Sequence, residues 1–516
     1  MIILGPSTTL FDGSPLLEQA LPDSKLLQSC SAITLHEDTP LRESYPDKPI
    51  GDTLDIPAQI PTKRYYHEGD DGWTLNDRWT EHWRPRPVWS NLVTNSPKVC
   101  PDSSLHNMCN ELNVSQASIE LPDVPYAPEA PWVLPHHTVQ RHVRSYASYH
   151  CLNSNDHCPA TPSALPVMSY STRVERVEKD EETHTWILTL RRLERLRESN
   201  RILEEWWTEA FDAVVLATGL YTLAHVPDIE GIVDWSKAKE GENYSVYHSQ
   251  SYRHPERYTG KTVLIVGASI SASEIARDIS SFAHRIITSV RPAKERRARG
   301  LRSTSRFPNV TEFVPEIASF MPLKTHTDGI RSGEIHLVNG SSLQGIDEVI
   351  LATGYHRGAL YPPNSSTRLP ENIHWTGHYI PDPTLTFTTG RPWTIGRYQS
   401  YGFAKVWKGT ARLPPVEEEE VEIPEGGVPF LLDMWIAETQ VQRFITWLND
   451  ASLEHGGRLV GPPPIANLEL FKYFAAVHMF NNTMGLNRGP DFNSMVAGGE
   501  LKVEGPWDAF VDETHW

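Results

Sequence analysis

One segment occurs twice. Asp212-Ala213-Val214-Val215-Leu216-Ala217-Thr218-Gly219 returns as Asp347-Glu348-Val349-Ile350-Leu351-Ala352-Thr353-Gly354, 135 residues later (Gly354 against Gly219). Each copy is a short β-branched and aliphatic run closed by Ala-Thr-Gly. That is the form of a parallel strand buried on both faces and ended by a tight turn. An eight-residue pattern of this kind does not recur by chance. It predicts a chain that leaves one nucleotide-binding α/β domain and later returns to it.

Between the copies lies a compact unit. Lys261–Val266 reads as a strand, Gly267–Ala272 as a turn opening a helix that runs through Ser280, and Arg285–Val290 as the next strand. A βαβ unit of about 30 residues is the size of a mononucleotide-binding half. Pyrophosphate binding needs a tight turn, a place where backbone approaches the phosphates, and a close helix–strand contact. Gly267, Ser269 and Ala272 stand at those three places, with Ser271 in the first helical turn. Arg291 follows the second strand, where an acidic residue would hold a ribose diol. A cation there suits a 2′-phosphate, so NADPH is expected rather than NADH, with Lys294, Arg296 and Arg297 close enough to share the role.

Composition removes other classes. The 516 residues allow two to three domains. A net charge of −18 argues against a nucleic-acid partner. No apolar run reaches the roughly 18 residues of a membrane span, and the N-terminus lacks the form of a secretory signal, so a cytoplasmic location is expected. The five cysteines (Cys30, Cys100, Cys109, Cys151 and Cys158) include no Cys-x-x-Cys pair. That disfavours a zinc ribbon and the disulfide oxidoreductases, which need a paired dithiol. Cys151 and Cys158 with His150 and His157 could be read as a metal site, but inert thiols in a polar loop are preferred, and no metal is expected.

Elsewhere, Met1–Leu4 and Ala32–Leu35 read as buried strands and His136–His150 as a helix. Met168–Val177 and Thr183–Leu190 form an expected hairpin with its turn at Lys179-Asp180-Glu181. The charge-dense stretch Arg191–Trp207 is read as a solvated helix or an insertion. Pro429–Trp447 has helical spacing, after an acidic linker at Glu417–Glu420.

Taken in order, these motifs resemble the flavin-containing monooxygenases, particularly fungal members, from about Pro87 to Pro415. The resemblance includes Val88–Lys98, both Ala-Thr-Gly turns, Tyr247–Tyr252 with Pro255, Gly260 and Lys261, the Gly267 turn, and Pro383–Phe387 with Tyr398-Gln399-Ser400. It implies an FAD enzyme that takes a hydride from NADPH, reacts with O₂ to give a C4a-hydroperoxyflavin, and oxygenates a small-molecule substrate. The chemistry would be N- or S-oxidation, hydroxylation or Baeyer–Villiger oxidation, plausible in secondary metabolism. It also implies roles for particular residues: Asn95 as the flavin-proximal catalytic amide, and Leu92, Thr94, Ala217, Thr218, Gly219, His248, Thr353, Gly354 and Gln399 at the cofactors.

Two departures stand out. Glu242 and Tyr244 replace an aromatic and a glycine upstream of His248, which leaves the oxygenase subclass open. At the start, Gly5-Pro6-Ser7 is all that remains of the expected glycine-rich FAD turn, with no first glycine and Thr8 where its third should stand. The turn is therefore read as diverged, damaged or truncated, with Gly5, Ser7 and, as ribose acid, Glu37 the candidate FAD residues. Two readings follow: an active monooxygenase, or a relative that has lost FAD and serves as a binding or scaffold protein. The expected fold is α/β with two dinucleotide-binding Rossmann-like domains, the NADP domain inserted into the FAD domain. Its segments are 1–225 (FAD, first part), 226–345 (NADP), 346–450 (FAD, second part) and 451–516 (C-terminal extension).

Overall fold

Both copies of the repeat become fully buried strands, each at an interior position of its own parallel sheet. The computed structural model describes residues 2–4, 56–82, 88–92, 126, 134–150, 152, 169–196, 199–217, 223–240, 243–291, 307–356, 373–388, 396–414, 438–457 and 459–460. Along the chain run β1 (Ile2–Leu4), β2 (Thr62–Tyr66), α1 (Leu75–His82), α2 (His136–Tyr149), β3 (Thr172–Asp180), β4 (Thr185–Leu196), β5 (Arg201–Phe211) and β6 (Val214–Leu216). Next come β7 (Leu223–Ala224), α3 (Ile232–Ser236), β8 (Lys239–Glu240), β9 (Asn243–Tyr244), β10 (Val246–His248), β11 (Thr262–Val266), α4 (Ile270–Asp278) and β12 (Arg285–Ser289). The remainder are β13 (Thr311–Val314), β14 (Ile317–Phe320), β15 (Glu334–Leu337), β16 (Ser342–Gln344), β17 (Glu348–Leu351), β18 (Tyr355–His356), β19 (Leu385–Phe387), α5 (Arg397–Trp407) and α6 (Glu438–His455).

The first copy is β6, flanked by β1 and β19. Leu4 and Phe387 both lie opposite Leu216 in parallel register. The second is β17, in a five-stranded parallel sheet of order β10-β17-β11-β12-β13, with Val266 opposite Leu351. The chain therefore makes one sheet from widely separated segments and the other wholly from residues 246–351.

The inner strands of the five-stranded sheet are covered on both faces, which is why β11 and most of β12 and β17 read as apolar runs. Leu264, Val266, Ile287, Val349 and Leu351 face α3 and the antiparallel β14-β15-β16 sheet, packing on Trp235, Phe320 and Ile335. Val263, Ile265, Ile286 and Ile350 point the other way, onto Ala272, Ile275, Ala276 and Ile279. Every third or fourth residue of α4 is thus apolar because that stripe lies on the sheet.

The expected hairpin is present, with its turn at residues 181–184, and belongs to an antiparallel sheet of order β2-β5-β4-β3. The reading of Arg191–Trp207 as a solvated helix or insertion is corrected by that sheet. The stretch is the end of β4 and most of β5, paired residue by residue from Trp186↔Phe211 to Leu196↔Arg201. The charges do not mark a solvated face. Arg191 is buried between two buried carboxylates, with its Nε 2.8 Å from Glu175 Oε1 and a terminal nitrogen 3.4 Å from Glu204 Oε1.

The linkers between the two parallel sheets meet each other. β7 and β18 pair antiparallel, with Ala224 opposite Tyr355 and Leu223 opposite His356. The C-terminal helix α6 packs on Tyr398 and Trp375 through Phe444, Ile445, Trp447 and Leu448, and it runs past residue 450 to His455. Residues 429–437 and Ala32–Leu35 lie outside the described residues.

Candidate cofactor site

The site is built where β11 ends. Gly267 has φ +115°, which L side chains rarely adopt, and a Cβ there would stand 2.5 Å from the Ala352 carbonyl oxygen. The nucleotide turn and the second Ala-Thr-Gly turn therefore cross in contact, and only glycine fits the crossing. Two backbone bonds fix it: Gly267 N–H donates to Ser289 O (3.0 Å), and Ala352 N–H donates to Val266 O (2.9 Å). The two motifs, read separately in the sequence, form one structural unit.

Beyond the turn, α4 begins with its first-turn amides lacking intrahelical acceptors, as every helix does. Ser269 occupies the N-cap without a capping hydrogen bond from its side chain, and no acidic residue stands in the first turn. Ser269 and Ile270 are exposed, Ser271 is half-buried, and Ala272 is buried against the sheet. An open helix N-terminus, a crossing that tolerates no Cβ and no competing carboxylate in the first turn together fit a pyrophosphate.

His248, at the end of β10, closes the other side. Its ring is buried, and Nδ1 accepts the Gln250 N–H at 3.1 Å. Nε2 therefore carries the proton and donates to the Gly354 carbonyl at 2.9 Å. Burial pushes the imidazole down to about 4, so it is neutral at physiological pH. Gly354 O also accepts His225 N–H at 2.9 Å, while Thr353 Oγ1 donates to His225 O. His225, beside β7, is a contact the sequence did not reveal, because nothing in its local pattern marks it.

Arg291 follows β12 and is exposed. Its Nε lies 3.0 Å from Glu316 Oε1. Glu316 also went unnoticed: it lies 25 residues on, and only the folded sheet brings it to Arg291.

Leu92 packs at the edge of the α4 cluster, and its carbonyl accepts His136 N–H at 3.0 Å. The segment that carries it is tied to α4 through Asp278, which accepts from Asn91 Nδ2 (2.8 Å) and Tyr252 Oη (2.5 Å). Trp89 meets Tyr252 edge-on, with ring centroids 5.9 Å apart. Ala217 ends the described part of the first Ala-Thr-Gly turn. Gln399 is buried in α5, and its amide donates to Phe387 O at 3.3 Å, at the end of β19. Gly5, Ser7, Glu37, Thr94, Asn95, Thr218 and Gly219 lie outside the described residues. So do the five cysteines and His157. Among the described residues no group of three or more His, Cys, Asp or Glu could hold a metal, and no helix is long and apolar enough to cross a membrane.

The chain is similar to known proteins along most of its length. The family model described as FMO-like, flavin-binding monooxygenase-like, matches residues 198–298. The flavin-containing monooxygenase iboF of Amanita muscaria is 30% identical over 470 residues, covering 82% of each chain. The flavin-containing monooxygenase ustF2 of Aspergillus flavus is 28% identical over 481 residues, 83% of this chain and 84% of its own. Among solved structures, S-allyl-L-cysteine S-oxygenase from Allium sativum shares the fold over 80% of this chain and 84% of its own, with a TM-score of 0.50 at 18% identity. The resemblance drawn from the ordered motifs is thereby established: the chain belongs to the flavin-containing monooxygenases, a family of FAD- and NADP(H)-binding enzymes.

Proposed function

We propose that this chain is an FAD-dependent, NADPH-consuming monooxygenase that oxygenates a small molecule of secondary metabolism, with O₂ as co-substrate. The observation that carries the reading is the crossing of Gly267 with Ala352 in front of an open helix N-terminus. In this reading the NADPH pyrophosphate lies on the first turn of α4, approached by Gly267, Ser269, Ser271 and Ala272. Arg291 takes the 2′-phosphate. His248, Thr353 and Gly354 hold the linker side of the site, with His248 acting as a fixed neutral donor and not as an acid or base.

The FAD side is supported by a correspondence between the sheets. Leu4 lies beside Leu216 as Val266 lies beside Leu351, and Leu216 and Leu351 are equivalent in the repeat. The residue that follows β1 in sequence, Gly5, thus corresponds to Gly267, and Ser7 corresponds to Ser269. This register moves the turn by two residues from the sequence reading: Gly5 takes the first-glycine place, Leu10 rather than Thr8 falls at the third, and Gly5-Pro6-Ser7 is the counterpart of Gly267-Ala268-Ser269. Glu37 is the proposed ribose acid, and Leu92, Thr94, Ala217, Thr218, Gly219 and Gln399 the remaining flavin-side residues. Asn95 is the proposed amide beside the reacting atoms.

The sheets move one boundary of the expected division, because β17 (Glu348–Leu351) belongs to the five-stranded sheet. In this reading residues 226–345 together with β17 carry the nicotinamide nucleotide, and 1–225 with the rest of 346–450 carry the flavin. Bound FAD would supply hydride acceptance and oxygen activation; the chain supplies binding, orientation and exclusion of water. N- or S-oxidation, hydroxylation and Baeyer–Villiger oxidation are all reactions such a site can run.

The test is the visible absorption spectrum of the purified protein, followed by anaerobic NADPH. Flavin bands that bleach with NADPH and return with air are expected. A protein that stays colourless after incubation with FAD would overturn the reading.

A further inference from the structure

The carboxylate that meets Arg291 is not explained by a 2′-phosphate site. Both side chains are exposed, Arg291 at 73% and Glu316 at 39%. Exposed pairs of this kind are weak, and either side chain alone could turn away. Their backbones cannot separate as easily. Val290 N–H donates to Val314 O (3.0 Å), Ser289 Oγ donates to Pro315 O (3.0 Å), and Val338 N–H donates to Glu316 O (2.9 Å). The stretch 314–316 is thereby pinned along the end of β12, and Glu316 stays beside Arg291 whatever Arg291 binds.

A 2′-phosphate arriving at Arg291 must displace this carboxylate and then remain near it, anion beside anion. A ribose 2′-hydroxyl stands in the opposite relation, because it carries an O–H that a carboxylate accepts. We propose that Glu316 sets the nicotinamide cofactor preference: it weakens the hold on NADPH and supports NADH, so that the chain discriminates only modestly between the two. The inference rests on Arg291 being the 2′-phosphate contact. A carboxylate some 6 Å from a phosphate dianion in water costs roughly three- to tenfold in binding, and added salt reduces that cost.

Binding of NADP⁺ and NAD⁺ to the full chain, measured calorimetrically for wild type, Glu316→Gln and Arg291→Ala, tests this. The two ligands differ only in the 2′-phosphate. Glu316→Gln is expected to tighten NADP⁺ by about three- to tenfold while binding NAD⁺ no more tightly, with the gain shrinking in 0.5 M salt. Arg291→Ala is expected to lose the NADP⁺ preference. If Glu316→Gln keeps the wild-type ratio while Arg291→Ala abolishes the preference, the role of Glu316 is overturned and the cofactor reading stands. If Arg291→Ala leaves the ratio unchanged, both fall.

Discussion

His248 Nε2 donates to the carbonyl of Gly354 across 2.9 Å, joining the end of β10 to the turn after β17. Because the same carbonyl accepts His225 N–H, one oxygen ties together both linkers and the sheet they serve. Replacing His248 by Ala removes a buried ring and a buried donor. The expected loss is about 2–4 kcal/mol of stability, read by urea unfolding. His248→Gln, whose amide can still donate, should recover part of it. A variant as stable as wild type would show that the bond does not hold the linkers.

The buried imidazoles also give the fold an acid limit. His248 and His374 are held down to about 4 and His378 to about 3, in each case by burial first. Folded values below the unfolded value of about 6.5 mean that the unfolded chain binds protons first as pH falls. Stability is full above about pH 6.5 and is lost between there and about pH 4, by roughly 1 kcal/mol per group per pH unit. Urea midpoints at pH 7.5, 6 and 5 should fall steadily, and less steeply in His248→Gln. Midpoints that do not move would mean the rings are not held neutral.

Gly267→Ala would place a methyl 2.5 Å from Ala352 O at a φ of +115°. The crossing must open, at a cost of about 1–3 kcal/mol. NADP⁺ affinity should fall at least tenfold, while flavin content stays near wild type. Unchanged NADP⁺ affinity would separate the turn from the nucleotide.

Gly5→Ala is the matched test on the flavin side. Given the register shared by Leu4 and Val266, it should lower the FAD-to-protein absorbance ratio while calorimetric NADP⁺ binding persists. A flavin ratio equal to wild type would remove Gly5 from the site.

Arg191→Ala would remove the cation shared by Glu175 and Glu204, leaving Glu175 with Arg173 (2.9 Å) and Glu204 with the Tyr66 hydroxyl (3.1 Å). Breaking a buried charge network costs up to about 3–5 kcal/mol, and the remaining partners offset part of it, so the melting temperature should drop by a few degrees. A small change would show that water or another cation replaces the guanidinium.

The misreading of this last region shows where sequence reasoning stops. β4 is covered on one face in its first half and on the other in its second. Trp186, Leu188 and Leu190 pack towards Val214 and Leu385, whereas Leu193 turns to Leu75 and Ile202. The register shift between Val174 and Arg176 lies opposite this change. A strand that changes its buried face midway has no single period, and its buried Arg191 and Glu204 look like solvent charges until the neighbouring strand brings them together. By contrast, β6, β11, β12 and β17 were legible because they are buried runs in which, past the first residues Arg285 and Glu348 of β12 and β17, every residue is apolar or small. Gly267 was legible because one residue type alone fits its turn. Glu316 and His225 were not, since each reaches the site only through sheet order.

The pairing of Ala224 with Tyr355 has a consequence for how the molecule assembles. Joining β6 to β19 in an unfolded chain means closing a loop that contains the entire intervening sheet, at a high entropic cost and a slow rate. Once residues 246–351 have folded, the β7–β18 clasp holds the two exits of that sheet side by side. The loop left to close then shrinks to residues 217–222 and 357–384. The inserted sheet is thereby expected to form before the split one, with pulse-labelled amide protection appearing first within residues 246–351.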